Sequence, residues 1–168
     1  MRKSIMATLT VAGILALAGL SSRAADDAAA LAKALGGASV SLDQGLKASA
    51  RDGTPISGKY EIHEGALQLS VYTAKGDGFT EAVLDPATGA IVKAEKIADA
   101  DDLKEAKAQS AAMTKATKSL LTATDAAVKA NAGFRAISVE PELKDGHPVA
   151  EVTLLQGSTF KKVSSKLD

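Results

Sequence analysis

Histidine is the side chain whose chemistry would be easiest to recognise in this sequence, and it occurs twice, as His63 and His147. A catalytic nucleophile needs a neighbouring base, yet the chain has no cysteine, no Gly-x-Ser-x-Gly sequence and no acid or base partner at a meaningful spacing from either histidine. His63 is followed by Glu64-Gly65-Ala66-Leu67, so the His-Glu-x-x-His pattern of zinc peptidases is absent. We therefore predict no catalytic residue, no metal ligand and no cofactor, and interpret both histidines as solvated.

Two groups of charged residues are further candidates for binding ions or acidic surfaces. The acidic residues do not have the spacing of an EF-hand loop, and turns and a helix start already account for them. The lysines could contact an acidic partner, but a solvated helix face explains them better. These groups are Asp77, Asp85, Asp99, Asp101 and Asp102, and Lys104, Lys107, Lys115 and Lys118.

Residues 1–24 have the composition of a signal peptide. A basic start precedes an apolar run at 5–20, and Ser22 and Ala24 are the small residues that signal peptidase requires before the cut. The run is shorter than the ~20 residues of a membrane-spanning helix, so we expect cleavage after Ala24 and no stable membrane anchor. Because the chain has no cysteine, neither a lipid anchor nor disulfides are expected. The sequence predicts a periplasmic or secreted protein.

Size and charge restrict the class of the mature protein. Removing 24 of the 168 residues leaves 144, enough for one ordinary domain or two very small ones. Cleavage also removes Arg2, Lys3 and Arg23, so 20 basic residues become 17 against 20 acidic ones. A net negative charge argues against nucleic acid as a partner, because nucleic-acid binding rests on clustered Lys and Arg.

The sequence of the first part of the mature chain predicts a helix followed by strands. Residues 25–40 form a helical or flexible arm, and Ser41 with Gln44 has the spacing of a capping box that opens a helix at 42–52. From Ile56 to Val92 apolar and polar residues alternate between turn sequences, which predicts an antiparallel meander of three or four strands.

Helical composition returns at 99–131, as one helix or two, and we expect this segment to lie on its own sheet. Thr122 and Asp125 are candidates for capping a second helix. Strand patterns follow at 137–139, 150–154 and 160–163. This order repeats that of the first part.

Residue offsets support an internal repeat: Leu69 and Val152 differ by 83, and Gly53 and Gly133 by 80. We predict an α+β protein of two tandem units, each a helix packed on an antiparallel three- to four-stranded meander. The first unit covers 41–98, a connecting helix covers 99–121, and a diverged and truncated second unit covers 122–168.

The predicted units resemble PepSY domains, whose hallmark is a strand running into Asp-x-x-Thr-Gly. The resemblance rests on 59–65, on 69–72 and on 81–92, which contains Asp85-Pro86-Ala87-Thr88-Gly89. The second copy, 124–168, stops before any Thr-Gly. PepSY domains occur in the propeptides of thermolysin-like metallopeptidases and in small exported bacterial proteins, and they are proposed to inhibit or regulate peptidases.

The resemblance implies a non-enzymatic exported binding module whose partner is an envelope peptidase or a peptide segment. Such a module could bind by adding a strand at an exposed sheet edge, or between the two units. A small-ligand-binding or structural envelope protein is the alternative, and an unrecognised hydrolase is a weaker one. The sequence does not decide between them, and it leaves the binding surface and the oligomeric state open.

Overall fold

The computed structural model describes residues 22–168; residues 1–21, which hold most of the predicted signal peptide, lie outside the described part. The described residues form four α-helices, a short 3-10 turn at Leu35–Gly37 and seven strands. The helices are α1 (Ser22–Ala34), α2 (Leu42–Ser49), α3 (Ala100–Lys115) and α4 (Leu120–Ala130). The strands are β1 (Thr54–His63), β2 (Ala66–Lys75), β3 (Gly78–Leu84), β4 (Ile91–Lys96), β5 (Arg135–Lys144), β6 (His147–Gln156) and β7 (Thr159–Lys166).

All seven strands belong to one antiparallel sheet in the order β4-β3-β2-β1-β5-β6-β7. The prediction of two tandem units, each a helix on its own meander, is therefore wrong. Separate meanders would leave β1 and β5 as exposed edges with unpaired backbone groups. Instead the two strands pair with each other, at Gly58 with Val139 and at Lys59 with Ser138. Below, the first half denotes α2 with β1–β4, and the second half denotes α4 with β5–β7.

The helices cover both faces of the sheet. α1, α2 and α4 pack on one face over a core that draws buried residues from both halves, among them Leu46, Val71, Leu120 and Val152. α3 packs on the opposite face, where Ala106 belongs to a smaller cluster that also contains Ile56, Tyr72 and Phe79. A single core shared by the halves explains why one continuous sheet is preferred to two small units, since a short unit alone buries too little apolar surface.

Of the two predicted helix N-caps, one is confirmed and the other is wrong. The capping box is confirmed: Ser41 Oγ accepts from the Gln44 backbone, and the Gln44 side chain accepts from the Ser41 N–H. Residues 99–131 form two helices, and α4 is capped by Ser119, which accepts from Thr122 N, so the proposed Thr122–Asp125 cap is wrong. The N-terminal arm is docked, because Leu31 and Leu35 are buried in the core.

The halves are related by a constant offset of 81 residues through their strands. Each first hairpin turns through an acidic residue and a glycine with positive φ, Glu64-Gly65 and Asp145-Gly146. Each first strand has a bulge at the matching point, between Pro55 and Ser57 and between Ala136 and Ser138. The offset of 83 is therefore wrong: the counterpart of Val71 is Val152, and that of Leu69 is Ala150.

Candidate functional site

The two histidines lie in different halves, each next to a hairpin turn. His63 is exposed at the end of β1. His147 opens β6, and its Nδ1 lies 2.8 Å from Asp168 Oδ2 with 70% of the side chain exposed. This hydrogen bond lowers the pKa of the Asp168 carboxyl. The sequence did not indicate the His147–Asp168 pair, since 21 residues separate its members, and no hydroxyl within residues 22–168 is hydrogen-bonded to either histidine.

The Asp-x-x-Thr-Gly sequence is a structural turn between β3 and β4. Asp85 Oδ1 accepts from the backbone N–H groups of Ala87 and Thr88 and from the Thr88 hydroxyl, at 2.7 to 3.0 Å. These donors, the Thr88 N–H first, lower the pKa of Asp85. Gly89 donates to the Asp85 carbonyl with a φ of 74°, which favours glycine. The hydrogen bonds of this motif thus close the turn between β3 and β4.

The same turn anchors the chain that enters α2. The carbonyl of Pro86 accepts from the N–H groups of Ser39 and Val40, directly before the Ser41 cap. The second half repeats this contact without the motif, since the carbonyl of Leu167 accepts from Thr117 and Lys118, directly before the Ser119 cap. Leu167 is fully buried. In each half, a carbonyl just after the third strand, β3 or β7, therefore hydrogen-bonds to the residues that precede the helix, α2 or α4.

The sheet has two edges, β4 and β7, and they differ in regularity. The β3–β4 ladder shifts register between Val83 and Leu84. The β6–β7 ladder runs without a shift over eight pairs, from Gln156 with Thr159 to Val149 with Lys166. No other strand of residues 22–168 lies beside β7. A long edge without a bulge is the geometry that accepts a further strand most readily.

The side chains of β7 give this edge a positive charge. Lys161, Lys162 and Lys166 are exposed, and the strand has no acidic residue. Lys161 donates to Oδ1 of Asn131, the residue that follows α4, and the Nζ atom of Lys118 donates to the Lys166 carbonyl at 3.4 Å. The end of β7 near Lys166 is thus contacted by the α3–α4 connection.

A second candidate site is a cavity of about 320 Å³ where β1 meets β5. Because the two strands pair at only two positions, they separate on either side of that contact. The cavity takes wall residues from both faces of the sheet. Leu31 belongs to the helical face that holds α2 and α4, whereas Gln109 belongs to α3 on the other face. We call this space the seam cavity.

One wall of the seam cavity holds a network centred on Glu61. Lys59 Nζ lies 3.0 Å from Glu61 Oε2, while Gln68 and Ser70 each donate to Glu61 Oε1 at 2.9 Å. Burial alone would raise the pKa of Glu61, but Lys59 and the two hydrogen bonds outweigh it and hold the pKa below its ordinary value. Glu61 is therefore ionised and its charge is matched by Lys59.

Two further carboxylates line the cavity, Glu105 on α3 and Glu140 on β5. Gln109 Nε2 donates weakly to Glu105 at 3.4 Å, and Gln109 Oε1 accepts from Ser57. Burial raises the pKa of Glu140, and the neighbouring charge of Glu105 raises it further. The structure gives Glu140 no hydrogen bond and no ion pair within residues 22–168.

Arg135 connects the second half with the N-terminal arm and with β1. Its guanidinium donates to the carbonyls of Leu35, Ala38 and Val40 at 3.1 to 3.3 Å. It also lies 5.4 Å from the centre of the Tyr60 ring, whose hydroxyl donates to the same Val40 carbonyl. Since one planar group satisfies three main-chain acceptors, Arg135 holds this side of the seam closed.

Comparison with known proteins leaves the family open. No family model matches the sequence. No curated protein matches it either. One solved structure that the chain is similar to is that of a "putative lipoprotein" from Clostridium difficile 630. The two chains are 14% identical, the match covers 73% of this chain and 80% of that chain, and the TM-score is 0.39. Within residues 22–168, no helix is both long enough and apolar enough to cross a membrane.

Sequence analysis missed the residues of the seam cavity because they lie on six separate elements, α1, β1, β2, α3, β5 and β6. The alternation from Ile56 onwards predicted a strand that contains Lys59 and Glu61, but the neighbours of these residues in space were unknown. The spacing of four between Glu105 and Gln109 places them on one helix face and was the available signal. Only the pairing of β1 with β5 brings that face over Glu140.

Proposed function

We propose that this protein is an exported binding module that accepts an extended peptide segment as an additional strand beside β7. The observation that carries the proposal is the eight-residue edge of β7, which keeps one register throughout its pairing with β6. Strand addition uses main-chain N–H and C=O groups and needs no special side chain. The N-terminal sequence, with its basic start and apolar run, supports export.

Internal symmetry supports the choice of β7 over β4. β7 is the counterpart of β3, because Ala82 pairs with Val71 as Val163 pairs with Val152. In the first half β4 lies antiparallel beside β3. The bound segment would take the corresponding place beside β7, and it would also run antiparallel.

The charge of the edge favours an acidic segment. Three exposed lysines along β7 would face a bound strand and its flanks, and opposite charges on neighbouring strands stabilise a sheet whereas like charges destabilise it. Lysines on an edge also discourage pairing with neutral strands, which would limit nonspecific aggregation. We therefore propose that acidic segments are selected over basic ones.

The resemblance to PepSY domains supports a further step, in which the natural segment belongs to an envelope peptidase and its binding regulates or inhibits that enzyme. The Asp85 turn and the strand before it are the residues that support this step. The test is direct inhibition of a peptidase recovered from the envelope by wild-type protein. Inhibition by wild type and not by a variant defective at β7 is expected; equal inhibition by both would exclude the β7 edge.

Proline substitution tests strand addition directly, because proline removes one N–H. Ser164 and Ser165 are adjacent in β7, so one N–H points towards β6 and the other points outward. We expect one of Ser164→Pro and Ser165→Pro to keep the circular dichroism spectrum and lose peptide binding, while the other loses stability. The probe is a labelled, capped octapeptide of alternating Thr and Glu, followed by fluorescence anisotropy.

Two controls accompany this experiment. Ser164→Ala and Ser165→Ala keep both N–H groups and should bind the peptide as wild type does. A peptide with Lys in place of Glu should bind at least tenfold more weakly than the acidic one. Undiminished binding by the folded proline variant would disprove strand addition at β7.

A further inference from the structure

The seam cavity has walls of two chemical kinds. Its apolar wall comes from Leu31, Tyr60, Tyr72 and Ile137, which lie on four different elements. A volume of about 320 Å³ is at the lower end of the range of small-molecule sites. This volume is ample for an organic body of about six non-hydrogen atoms, since benzene, with six, binds in a cavity of about 150 Å³.

The charged lining is predominantly acidic. The lining includes four acidic residues, Asp27, Glu61, Glu105 and Glu140, and one basic residue, Lys59. Lys59 is already paired with Glu61, whose remaining oxygen accepts from two further donors. No cation in the lining is therefore available to attract an anionic ligand.

Glu105 on α3 and Glu140 on β5 both line the cavity, and their like charges repel one another. Glu105 has only the weak hydrogen bond from Gln109. Glu140 has no hydrogen bond and no ion pair within the described residues, although the charges of Lys59 and Lys162 attract it. A donor cation placed between them would remove the repulsion and form charge-assisted hydrogen bonds with both. Two carboxylates are too few for a metal ion with oxygen ligands, and within residues 22–168 no group of three or more metal-ligating side chains occurs.

We propose that the seam cavity binds a small organic cation, in which an ammonium or guanidinium group lies between Glu105 and Glu140 and an apolar body contacts Tyr60, Tyr72 and Ile137. This site is separate from the β7 edge and does not depend on peptide binding there. Its specificity resides in the two carboxylates, whereas the apolar wall contributes affinity without selecting charge.

The chain provides its own reporter for this site. It has two tyrosines and no tryptophan, and both tyrosines line the cavity. Full-length protein is titrated at pH 7 with n-hexylamine, 1-hexanol and hexanoate, which share a six-carbon chain and differ in charge. Tyrosine fluorescence and isothermal calorimetry give the affinities. We expect hexylamine to bind at least tenfold more tightly than hexanol, and hexanoate not to bind.

Glu140→Gln and Glu142→Gln are the matched variants. Both residues lie on β5, two positions apart, but Glu142 is exposed, pairs with Lys144 and is not in the cavity wall. Glu140→Gln should abolish the preference for hexylamine over hexanol, and Glu142→Gln should keep it. Equal affinity of wild type for hexylamine and hexanol, no binding of hexylamine, or an unchanged preference in Glu140→Gln would each overturn the proposal.

Discussion

The two halves of the sheet share a framework and differ in chemistry. Both have a bulge in the first strand, an acidic residue and glycine at the first hairpin, and a carbonyl that fastens the helix to the third strand. They differ at the centre of the sheet, where Lys59 of the first half corresponds to Glu140 of the second. They also differ at the third strand: β3 has β4 beside it, whereas its counterpart β7 is an edge strand. The shared features determine the backbone; the two proposed binding sites lie where the halves differ.

The largest expected effect tests whether the halves fold as one body. Val152 is fully buried, and Val152→Asp places a charge in the shared core, which we expect to cost roughly 4–5 kcal/mol or more. Both tyrosines lie in the first half, so tyrosine fluorescence reports on the half that the mutation does not touch. We expect the native signal to be lost together with the circular dichroism; a native tyrosine signal in an otherwise unfolded second half would contradict the single sheet.

Arg135→Ala tests the connection between the second half and the N-terminal arm. The substitution leaves three carbonyls without their charged donor, and we expect a loss of about 2–3 kcal/mol in the free energy of unfolding. Arg51→Ala is the control, because Arg51 is 68% exposed and pairs with Asp52 only at 3.7 Å, so it should change stability by less than about 0.5 kcal/mol. Urea unfolding measures both; similar losses would mean that Arg135 has no special role.

Gly58→Ala tests how closely α2 packs on the centre of the sheet, where β1 pairs with β5. Gly58 pairs with its own counterpart, Val139, yet α2 packs so closely that an added Cβ would lie 3.2 Å from Leu42 and 3.3 Å from Leu46. We expect overpacking to cost about 1–2 kcal/mol in urea unfolding. Gly36, which has open space around it, serves as the control. An unchanged free energy of unfolding in Gly58→Ala would show that α2 can move away from β1 without destabilising the protein.

The smallest expected effect concerns Glu140. Its pKa is raised in the folded state by burial and by Glu105, with Glu142 adding to the shift and Lys59 and Lys162 opposing it. A raised carboxyl pKa means that the folded state is favoured at low pH and loses that advantage as pH rises through the folded value. Glu140→Gln should therefore raise the melting temperature at pH 7 and have no such effect below the ordinary pKa of glutamate. A gain of equal size at both pH values would exclude titration as the cause.

Local elements could be predicted from the sequence because their signals are local. The hairpin turns, the Ser41 capping box and the alternation of β1 and β2 depend on neighbouring residues, and they were placed correctly. The joining of the halves could not be predicted, since it rests on two residue pairs 79 to 81 positions apart, between Gly58 and Val139 and between Lys59 and Ser138. Alternation in β5 fits an independent meander equally well.

The candidate sites were predictable to different degrees. Binding at an exposed sheet edge was predicted as one possibility, but the choice of β7 over β4 was not, because it rests on the regular register of the β6–β7 ladder. The seam cavity was not predictable, because Glu105 and Glu140 look like ordinary solvated acids until α3 is placed across β1 and β5. The repeat was also predicted with the wrong offset. An offset of 83 matches Leu84 with Leu167, whereas the observed offset of 81 matches Leu167 with Pro86, whose carbonyl makes the equivalent hydrogen bonds.

From the topology we expect the junction of β1 with β5 to form late in folding. Every other strand pair joins neighbours in sequence through a short turn, whereas this pair requires closure of a loop of about 80 residues, whose entropy cost must be met before the contact forms. Each half can therefore assemble its hairpins first, and the halves dock afterwards. Interactions at the junction, Arg135 among them, should accordingly be absent from the transition state, so weakening them will speed unfolding while leaving the rate of folding almost unchanged.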